Sequence, residues 1–312
     1  MIAADKELLR ATLKSCGAAA VGFAPADCEP EEYSNLRKQW IDSGYNAGMD
    51  YMARNEELRQ DPRMLLEGTK TIISLAFPYR LQERPAEVDS GIASYALLYD
   101  YHDRIRSRIR QAGIERWLGE EHIDWRICVD SAPMAERYRA REAGIGYIGR
   151  NGMLIVPEAG SEVFLAEIIT TTEIEPDTPA SGDCGNCGAC LKACPAGALH
   201  PDGTIDCNRC ISYLTIEHRG PWVNDVHKSV MQSAEGIKSI YGCDRCVAAC
   251  PHNRLNATEI FTDEPIHPGV ASLTREKIRE ISEPEFNKLM KGSAMKRAKL
   301  QGLLRNIDAS DK

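Results

Sequence analysis

No apolar run in this 312-residue sequence approaches the ~20 residues that a membrane-spanning helix requires, so a helical membrane protein is excluded. No leader is expected at the start of the chain either. Asp5, Lys6, Glu7 and Arg10 interrupt the first ten residues, so neither a secretory signal nor an anchor is expected, and the expected compartment is the cytoplasm. Positive charge is not in excess either. Lys and Arg number 38 against 46 Asp and Glu, a net charge of -8, which argues against bulk affinity for nucleic acid. Low-complexity stretches are missing, and nothing repeats except two runs of cysteine. Hydrophobic content of 43% is ample for a buried core, and the length suggests about two domains.

The cysteine runs carry the first chemistry. They read Cys184-x2-Cys187-x2-Cys190-x3-Cys194-Pro195 and Cys243-x2-Cys246-x3-Cys250-Pro251. In double-cluster ferredoxins three cysteines of one run hold a [4Fe–4S] cube and the fourth crosses to the other cube. The second run is one thiol short, because Ile240 stands three residues before Cys243. Cys207 or Cys210, between the runs, can supply it. The expected sets are Cys184, Cys187, Cys190 and Cys250 for one cube, and Cys194, Cys243, Cys246 and Cys207 or Cys210 for the other. A zinc site would use four ligands at simple paired spacings and would not need interlocked fourth cysteines. Disulfides would need an oxidising compartment.

Hydrophobic patterning places a helix before Gly17, a strand over 18–24 and a second helix over 30–41 with Leu36 and Trp40 inward. The β-branched run 71–77 reads as a core strand stopped by Pro78. A long basic amphipathic helix is predicted over 101–118, with Ile105, Ile109 and Trp117 on one face, and strands over 125–129, 153–156 and 163–170. Strands alternating with helices indicate an α/β sandwich on one sheet. Pro176, Pro179, Ser181 and Gly182 mark a linker. The expected division is an α/β domain over 1–176, a ferredoxin-like double-cluster domain over 177–260, its motifs running to about Asn256, and a helical basic tail over 261–312. In that tail Lys288, Lys291, Lys296, Arg297, Lys299 and Arg305 occur with no acidic residue among them. They form either a solvated helix face or a local phosphate track.

Val129 closes a strand and is followed by Asp130, Ser131 and Pro133, with Pro133 in the first turn of a helix bearing Glu136, Arg137 and Arg139. Helix starts offer unpaired N–H groups and a positive dipole end, so Asp130 or Ser131 is a helix cap or a site residue. Gly144, Gly146 and Gly149 form a GxGxxG string that follows a helix and not a strand, outside the dinucleotide-binding context. These glycines are expected to let the backbone approach something large and flat.

Seven stretches carry a resemblance. They are VDSAPMAERYRAREAGIGYIGRNGMLIVPEAGSEVFLAEI (129–168), CISYLTIE (210–217) with IYGCDRCVAACPHNR (240–254), GMDYMAR (48–54), YALLYDYH (95–102), and GSAMKR (292–297) with LLRN (303–306). Together they resemble the epoxyqueuosine reductases over nearly the whole chain, and that family is related to the reductive dehalogenases. The resemblance implies a cobalamin-dependent enzyme with two [4Fe–4S] clusters that reduces the epoxide of epoxyqueuosine at the wobble position of tRNA. It places the proton donor on Asp130, and a carboxyl that keeps its proton near neutral pH would need burial to raise its pKa. It implies base-off cobalamin in a groove between the α/β and cluster domains. The implied cobalamin contacts, besides Asp130, are Arg54, Arg150, Asn151, Leu154 and Leu165, with Ser212 and Asp244 beside ligands of the second cube. The context of Cys210 makes it the eighth cluster ligand and leaves Cys207 an extra thiol. An external low-potential electron donor and a monomer are expected.

The chain departs from the family in several places. Many members continue for tens of residues beyond the Leu-Arg-Asn motif, whereas this sequence stops at Lys312. Arginines are common where it has Ser94 and Tyr99, and Pro251-His252-Asn253 replaces Pro-Trp-Asn. The competing readings are a cobalamin and iron–sulfur reductase of a small epoxide or organohalide, and an electron carrier without enzymatic activity. A carrier would not need the α/β domain.

Overall fold

The structure, a computed structural model, describes residues 3–86, 88–118, 123–233, 236, 238–255, 260 and 262–309. Among the described residues six strands are formed: β1 (Ala20–Pro25), β2 (Thr71–Pro78), β3 (Trp125–Cys128), β4 (Tyr147–Ile148), β5 (Leu154–Ile155) and β6 (Val163–Thr170). Four of them make one sheet in the order β1-β2-β6-β3, with every neighbouring pair antiparallel. β4 and β5 form a separate hairpin.

Helices of the first half are α1 (Ala3–Ser15), α2 (Glu31–Asp42), α3 (Glu56–Gln60), α4 (Tyr101–Gln111), α5 (Glu115–Leu118) and α6 (Glu136–Glu142). The cluster region contributes α7 (Ala189–Ala193), α8 (Ile211–Ile216), α9 (Asp225–Met231), α10 (Arg245–Ala248) and α11 (His252–Leu255). The last part contributes α12 (Pro268–Ala271), α13 (Arg275–Glu280), α14 (Glu283–Leu289) and α15 (Lys299–Asp308).

The run 71–77 is buried throughout because β2 is covered on both faces. Its side chains alternate with period two. Ile73, Leu75 and Phe77 meet Leu9 and Leu13 of α1 and Ile105 and Ile109 of α4. Ala76 meets Ala140 of α6, and Ile72 meets Cys128 and Met134. Each such fully buried aliphatic side chain contributes roughly 1.5–3 kcal/mol. The result is a mixed α/β sandwich of helices on both faces of the sheet, in which the strands are antiparallel.

Two helix expectations change. Leu36 is 56% exposed, and α2 turns Trp40 inward, where its Nε1 donates to the Ile205 carbonyl at 2.7 Å. The helix expected over 101–118 breaks at Gly113, whose φ of 72° is a left-handed conformation that glycine takes without strain.

The linker is tied down. Asp177 accepts from Lys6 Nζ at 2.7 Å, Arg10 Nη2 at 2.9 Å and the Phe23 N–H at 3.0 Å. The GxGxxG glycines serve internal packing. A Cβ on Gly146 would lie 2.4 Å from the Ile155 carbonyl oxygen, and one on Gly144 would lie 2.5 Å from that of Thr178. The large, flat object they accommodate is the protein's own β5 and linker.

The helical tail has a buried inner face. Phe286, Met290, Met295, Leu303 and Ile307 pack with Val88, Ile92, Leu97, Ile216 and Tyr241 in one core cluster. The expected end of the cluster segment near Asn256 lies outside the described residues. Among the described residues no helix is long and apolar enough to cross a membrane.

Candidate active site

Asp130 follows β3 and Val129, but no helix starts there. α6 begins six residues later at Glu136, behind Ala135, which makes no side-chain cap bond. Asp130 and Ser131 are therefore not the caps of that helix. Asp130 has a φ of 55°, uncommon for a residue with a Cβ. The conformation is held from several sides. The Asp130 N–H donates to Glu136 Oε1 at 2.7 Å. Arg106 of α4 donates to the Val129 carbonyl at 3.3 Å and to Ser131 Oγ at 3.1 Å.

The Asp130 carboxylate points at the start of α4. Its Oδ2 accepts from the Tyr101 hydroxyl at 2.9 Å and lies 2.9 Å from His102 Nε2. His102 Nδ1 lies 2.6 Å from Asp100 Oδ1, so the imidazole is gripped between two carboxylates. Asp100 also caps α4 by accepting from the His102 N–H. Tyr101 is clamped by near-parallel stacking on Phe164, with centroids 4.2 Å apart, and on His102 at 4.1 Å.

The protein's own groups draw the Asp130 pKa downward. The His102 hydrogen bond lowers its pKa, desolvation opposes this, and the Tyr101 hydroxyl and the charge of Arg297 add to the lowering. Its side chain is 57% exposed. Burial disfavours the charge on His102, but Asp100 and Asp130 outweigh it and hold the imidazole up at about 9. At neutral pH the proton of the pair therefore sits on His102. Tyr101, His102 and Asp100 have no role assigned by sequence reasoning. The available signal was an aspartate-tyrosine-histidine string at a helix start.

None of the twelve cysteines is in a disulfide. α7 and α10 pack together and bring the two runs into contact. Burial raises the pKa values of Cys190, Cys243, Cys246 and Cys250, neighbouring thiol charge adds to this, and those neighbours fall into two sets. Cys190 feels Cys184 and Cys250, and Cys250 feels Cys184 and Cys187. Cys246 is pushed up to about 12 by burial and by Cys210, Cys243 and Cys194, with a smaller effect from Cys190. Cys243, at about 11, feels Cys210 and Cys194. Cys207 is buried at 9% exposure, and Cys210 is the only thiol whose charge reaches it. Backbone N–H groups reach two of the sulfurs: the Arg150 N–H donates to Cys184 Sγ at 3.3 Å and the Ala198 N–H to Cys194 Sγ at 3.2 Å.

The other site residues are scattered around this core. Arg54 is exposed, with a guanidinium that makes no hydrogen bond or ion pair among the described residues. The Arg150 guanidinium is committed to the first cysteine loop, donating to the carbonyls of Cys187 and Gly185. Asn151 is 4% exposed; its Oδ1 accepts from the Met153 N–H, but its buried Nδ2 lacks a partner. Leu154 is buried in a core cluster and Leu165 packs at its edge. Ser212 and Tyr213 offer backbone N–H groups to Cys210. Asp244 accepts from the Ser94 N–H at 2.7 Å, tying the second run to the turn before Tyr101. His252, at the variant Pro-His-Asn position, meets the Tyr147 hydroxyl at 3.0 Å.

The basic tail separates into two kinds of residue. Arg305 is structural: it donates to the carbonyls of Leu214, His218 and Gly220 and lies over Trp222. It drops out of a phosphate track. Arg297 pairs with Glu217 at 2.7 Å, and its charge reaches Asp130. Lys288, Lys291, Lys296 and Lys299 are exposed.

Residues 183–253 match the family model for a 4Fe-4S double cluster binding domain. Joined to the α/β sandwich, it defines an iron–sulfur oxidoreductase. Residues 59–131, ending just past Asp130, match the model for epoxyqueuosine reductase QueG, DUF1730. The chain is 34% identical over 307 residues to an epoxyqueuosine reductase of Cellulophaga algicola, covering 97% of this chain and 96% of that protein. It is 37% identical to that of Cyclobacterium marinum, covering 96% and 95%. A crystal structure of an epoxyqueuosine reductase with an epoxyqueuosine-modified tRNA-Tyr stem loop superposes with a TM-score of 0.84 at 30% identity, covering 98% of this chain and 80% of that one. The Bacillus subtilis enzyme, with its catalytic aspartate loop swung out of the active site, superposes at 0.84 with 29% identity, covering 98% and 81%. The chain belongs to the epoxyqueuosine reductase family.

Proposed function

We propose that this enzyme reduces the epoxide of epoxyqueuosine in tRNA to the alkene of queuosine, with Asp130 delivering protons to the departing oxygen. The overall reaction takes two electrons and two protons, breaks both carbon–oxygen bonds, forms the carbon–carbon double bond and releases water. The observation that carries this reading is the placement of Asp130. It sits on a strained, braced loop, its carboxylate is exposed at 57%, and a charged His102 stands 2.9 Å behind it. A carboxylate alone would be a poor acid at neutral pH, but a carboxylate backed by an imidazolium has a proton within one hydrogen bond. A related enzyme solved with its catalytic aspartate loop swung out of the active site and another solved with a modified tRNA stem loop support the assignment.

The thiol neighbourhoods fit two four-iron cubes. Cys184, Cys187, Cys190 and Cys250 would hold one, and Cys194, Cys210, Cys243 and Cys246 the other, with Cys207 outside both. Cobalamin would supply a low-potential two-electron reductant for carbon. The unpartnered Asn151 amide and the free Arg54 guanidinium suit its amide and phosphate acceptors. Ser212 and Asp244 hold the loops beside the second cube. The reading also retains the division at about residues 176 and 260, and exposed tail lysines as tRNA contacts.

The test supplies reconstituted protein with a low-potential donor and epoxyqueuosine tRNA, then digests the tRNA and measures queuosine. Formation of queuosine supports the reading. Reduction of small epoxides or organohalides with no queuosine formed would overturn it.

A further inference from the structure

The arginines of α4 face two ways. Arg106 reaches the Asp130 loop. Arg104 and Arg108 share another face, as residues four apart on a helix do, and point toward residues 262–264. A groove of about 410 Å³ runs along that face. Its walls include Ser15 at the end of α1, and Ser107, Gln111 and the two arginines of α4. A second cavity, of about 140 Å³, also lies against both arginines, and Tyr99, Tyr101 and Phe164 are among its walls. Tyr101 thus borders this cavity and at the same time donates its hydroxyl to Asp130 at 2.9 Å.

Two carboxylates, about 155 residues further along the chain, occupy the arginine face. Glu264 bridges the pair, accepting from Arg104 Nε at 2.7 Å and from Arg108 Nε at 2.6 Å, and it is 14% exposed. Asp263 accepts from Arg108 Nη2, but its side chain is 78% exposed. An ion pair so open to water holds weakly. The terminal nitrogens of Arg104 make no hydrogen bond among the described residues, and its guanidinium lies 5.9 Å from the centre of the Tyr99 ring. The acidic segment is pinned on both sides. The Thr262 N–H donates to the Arg80 carbonyl at 2.8 Å, and the His267 N–H to the Leu97 carbonyl at 2.8 Å. Asp263 can therefore leave Arg108 by turning its side chain, while Glu264 keeps both guanidinium groups aligned.

This face adjoins both the reaction site and the basic tail. Arg104 stands three residues past Tyr101, ~4.5 Å along the helix axis. On the other side the Tyr99 and His267 rings are 4.8 Å apart between centroids, and His267 Nε2 lies 3.0 Å from the carbonyl of Lys291, an exposed residue. A guanidinium is a planar fork that matches phosphate oxygens as well as it matches a carboxylate.

We propose that Arg104 and Arg108 bind a backbone phosphate of the substrate tRNA near its wobble nucleotide, and that Asp263 occupies this site as an internal stand-in until the RNA displaces it. The inference rests on the tRNA reading of the function. One anion replaces another, so Arg108 is paired in the free and in the bound protein. A stray phosphate must compete with Asp263 from solution. An RNA already held at the Asp130 site presents its phosphate at high effective concentration.

The test measures binding of an epoxyqueuosine-bearing anticodon stem loop to full-length reconstituted protein at two salt concentrations. Asp263→Asn keeps the shape and removes the competing charge. It should tighten binding roughly two- to fivefold, the range for an exposed ion pair. Asp225→Asn makes the same change in net charge at a fully exposed position on α9 and should leave affinity unchanged. Arg104→Gln should weaken binding and lower the slope of log affinity against log salt by about 0.7–0.9, with the thermal midpoint retained. Equal affinity in wild type and Asp263→Asn, equal tightening by Asp225→Asn, or an unchanged salt slope in Arg104→Gln would overturn the site. Inorganic phosphate, compared with chloride at equal ionic strength, should not displace the stem loop. Displacement by phosphate that is lost in Arg104→Gln would make this a free-anion site and overturn its assignment to tRNA. If the wild type forms no queuosine, the functional reading fails, and the binding comparison still decides the phosphate site.

Discussion

At Asp130 the backbone and the side chain are set by different partners. The left-handed φ is stabilised by Glu136 and Arg106, while the carboxylate is oriented by Tyr101 and His102. Asp130→Asn keeps the shape and cannot pass on a proton. Its turnover should fall by roughly 10²–10⁴, with cluster absorbance and tRNA binding retained. Turnover near wild type would reduce Asp130 to a structural residue. His102 gives a prediction in pH. Its folded pKa is about 9 against an ordinary 6.5, so the charged form is favoured by folding. The stability it contributes is complete below about pH 6.5 and is lost as pH rises through about 9. The thermal midpoint should decline across that window, and His102→Gln should flatten the decline. A His102→Gln profile parallel to wild type would contradict the Asp100–His102–Asp130 arrangement.

Among the elements, the C-terminal helices have two faces with separate tasks. Their apolar side closes a core with Tyr241 and Ile216, and Arg305 locks α15 to α8 through backbone carbonyls. Their outer side presents Lys288, Lys291, Lys296 and Lys299, and Arg297 brings this surface to the Asp130 site. Reversing Lys296 and Lys299 to glutamate should weaken tRNA binding. The slope of log affinity against log salt should lose about 0.7–0.9 for each phosphate contact removed. Filter binding at two salt concentrations measures both effects, and unchanged affinity at each would move the tRNA surface elsewhere. Arg305→Ala should instead lower the thermal midpoint, because it frees three carbonyls and uncovers Trp222.

For the whole molecule, the α/β sandwich places Asp130 and the cluster segment supplies the thiols. The two are joined by contacts that leave little slack. Asp244 holds Ser94, the Trp40 indole and the Tyr45 carbonyl grip the segment around Ile205 and Cys207, and Asn253 accepts from the Ser161 N–H. Anaerobic reconstitution should therefore load ~8 irons, two four-iron cubes. Cys210→Ala should lose about half of this iron, and Cys207→Ala none. Iron loss on Cys207→Ala alone would reverse the assignment of the eighth thiolate.

The sequence by itself determined the elements whose signals are local. A fully apolar β-branched run had to be a covered strand, and cysteine spacing with a following proline had to be a cluster ligand pattern. It left Cys207 and Cys210 equivalent on spacing alone, because either could reach the gap at Ile240. The CISYLTIE resemblance favours Cys210, and the folded neighbourhoods of Cys243 and Cys246 agree with that choice. The sign of the Asp130 pKa was likewise out of reach. It depends on His102, which lies 28 residues away in the chain and 2.9 Å away in space. The exposure of Leu36 has the same origin. Charges and faces are set by what the tertiary structure packs against them, and local periodicity carries no information about a partner from another part of the chain.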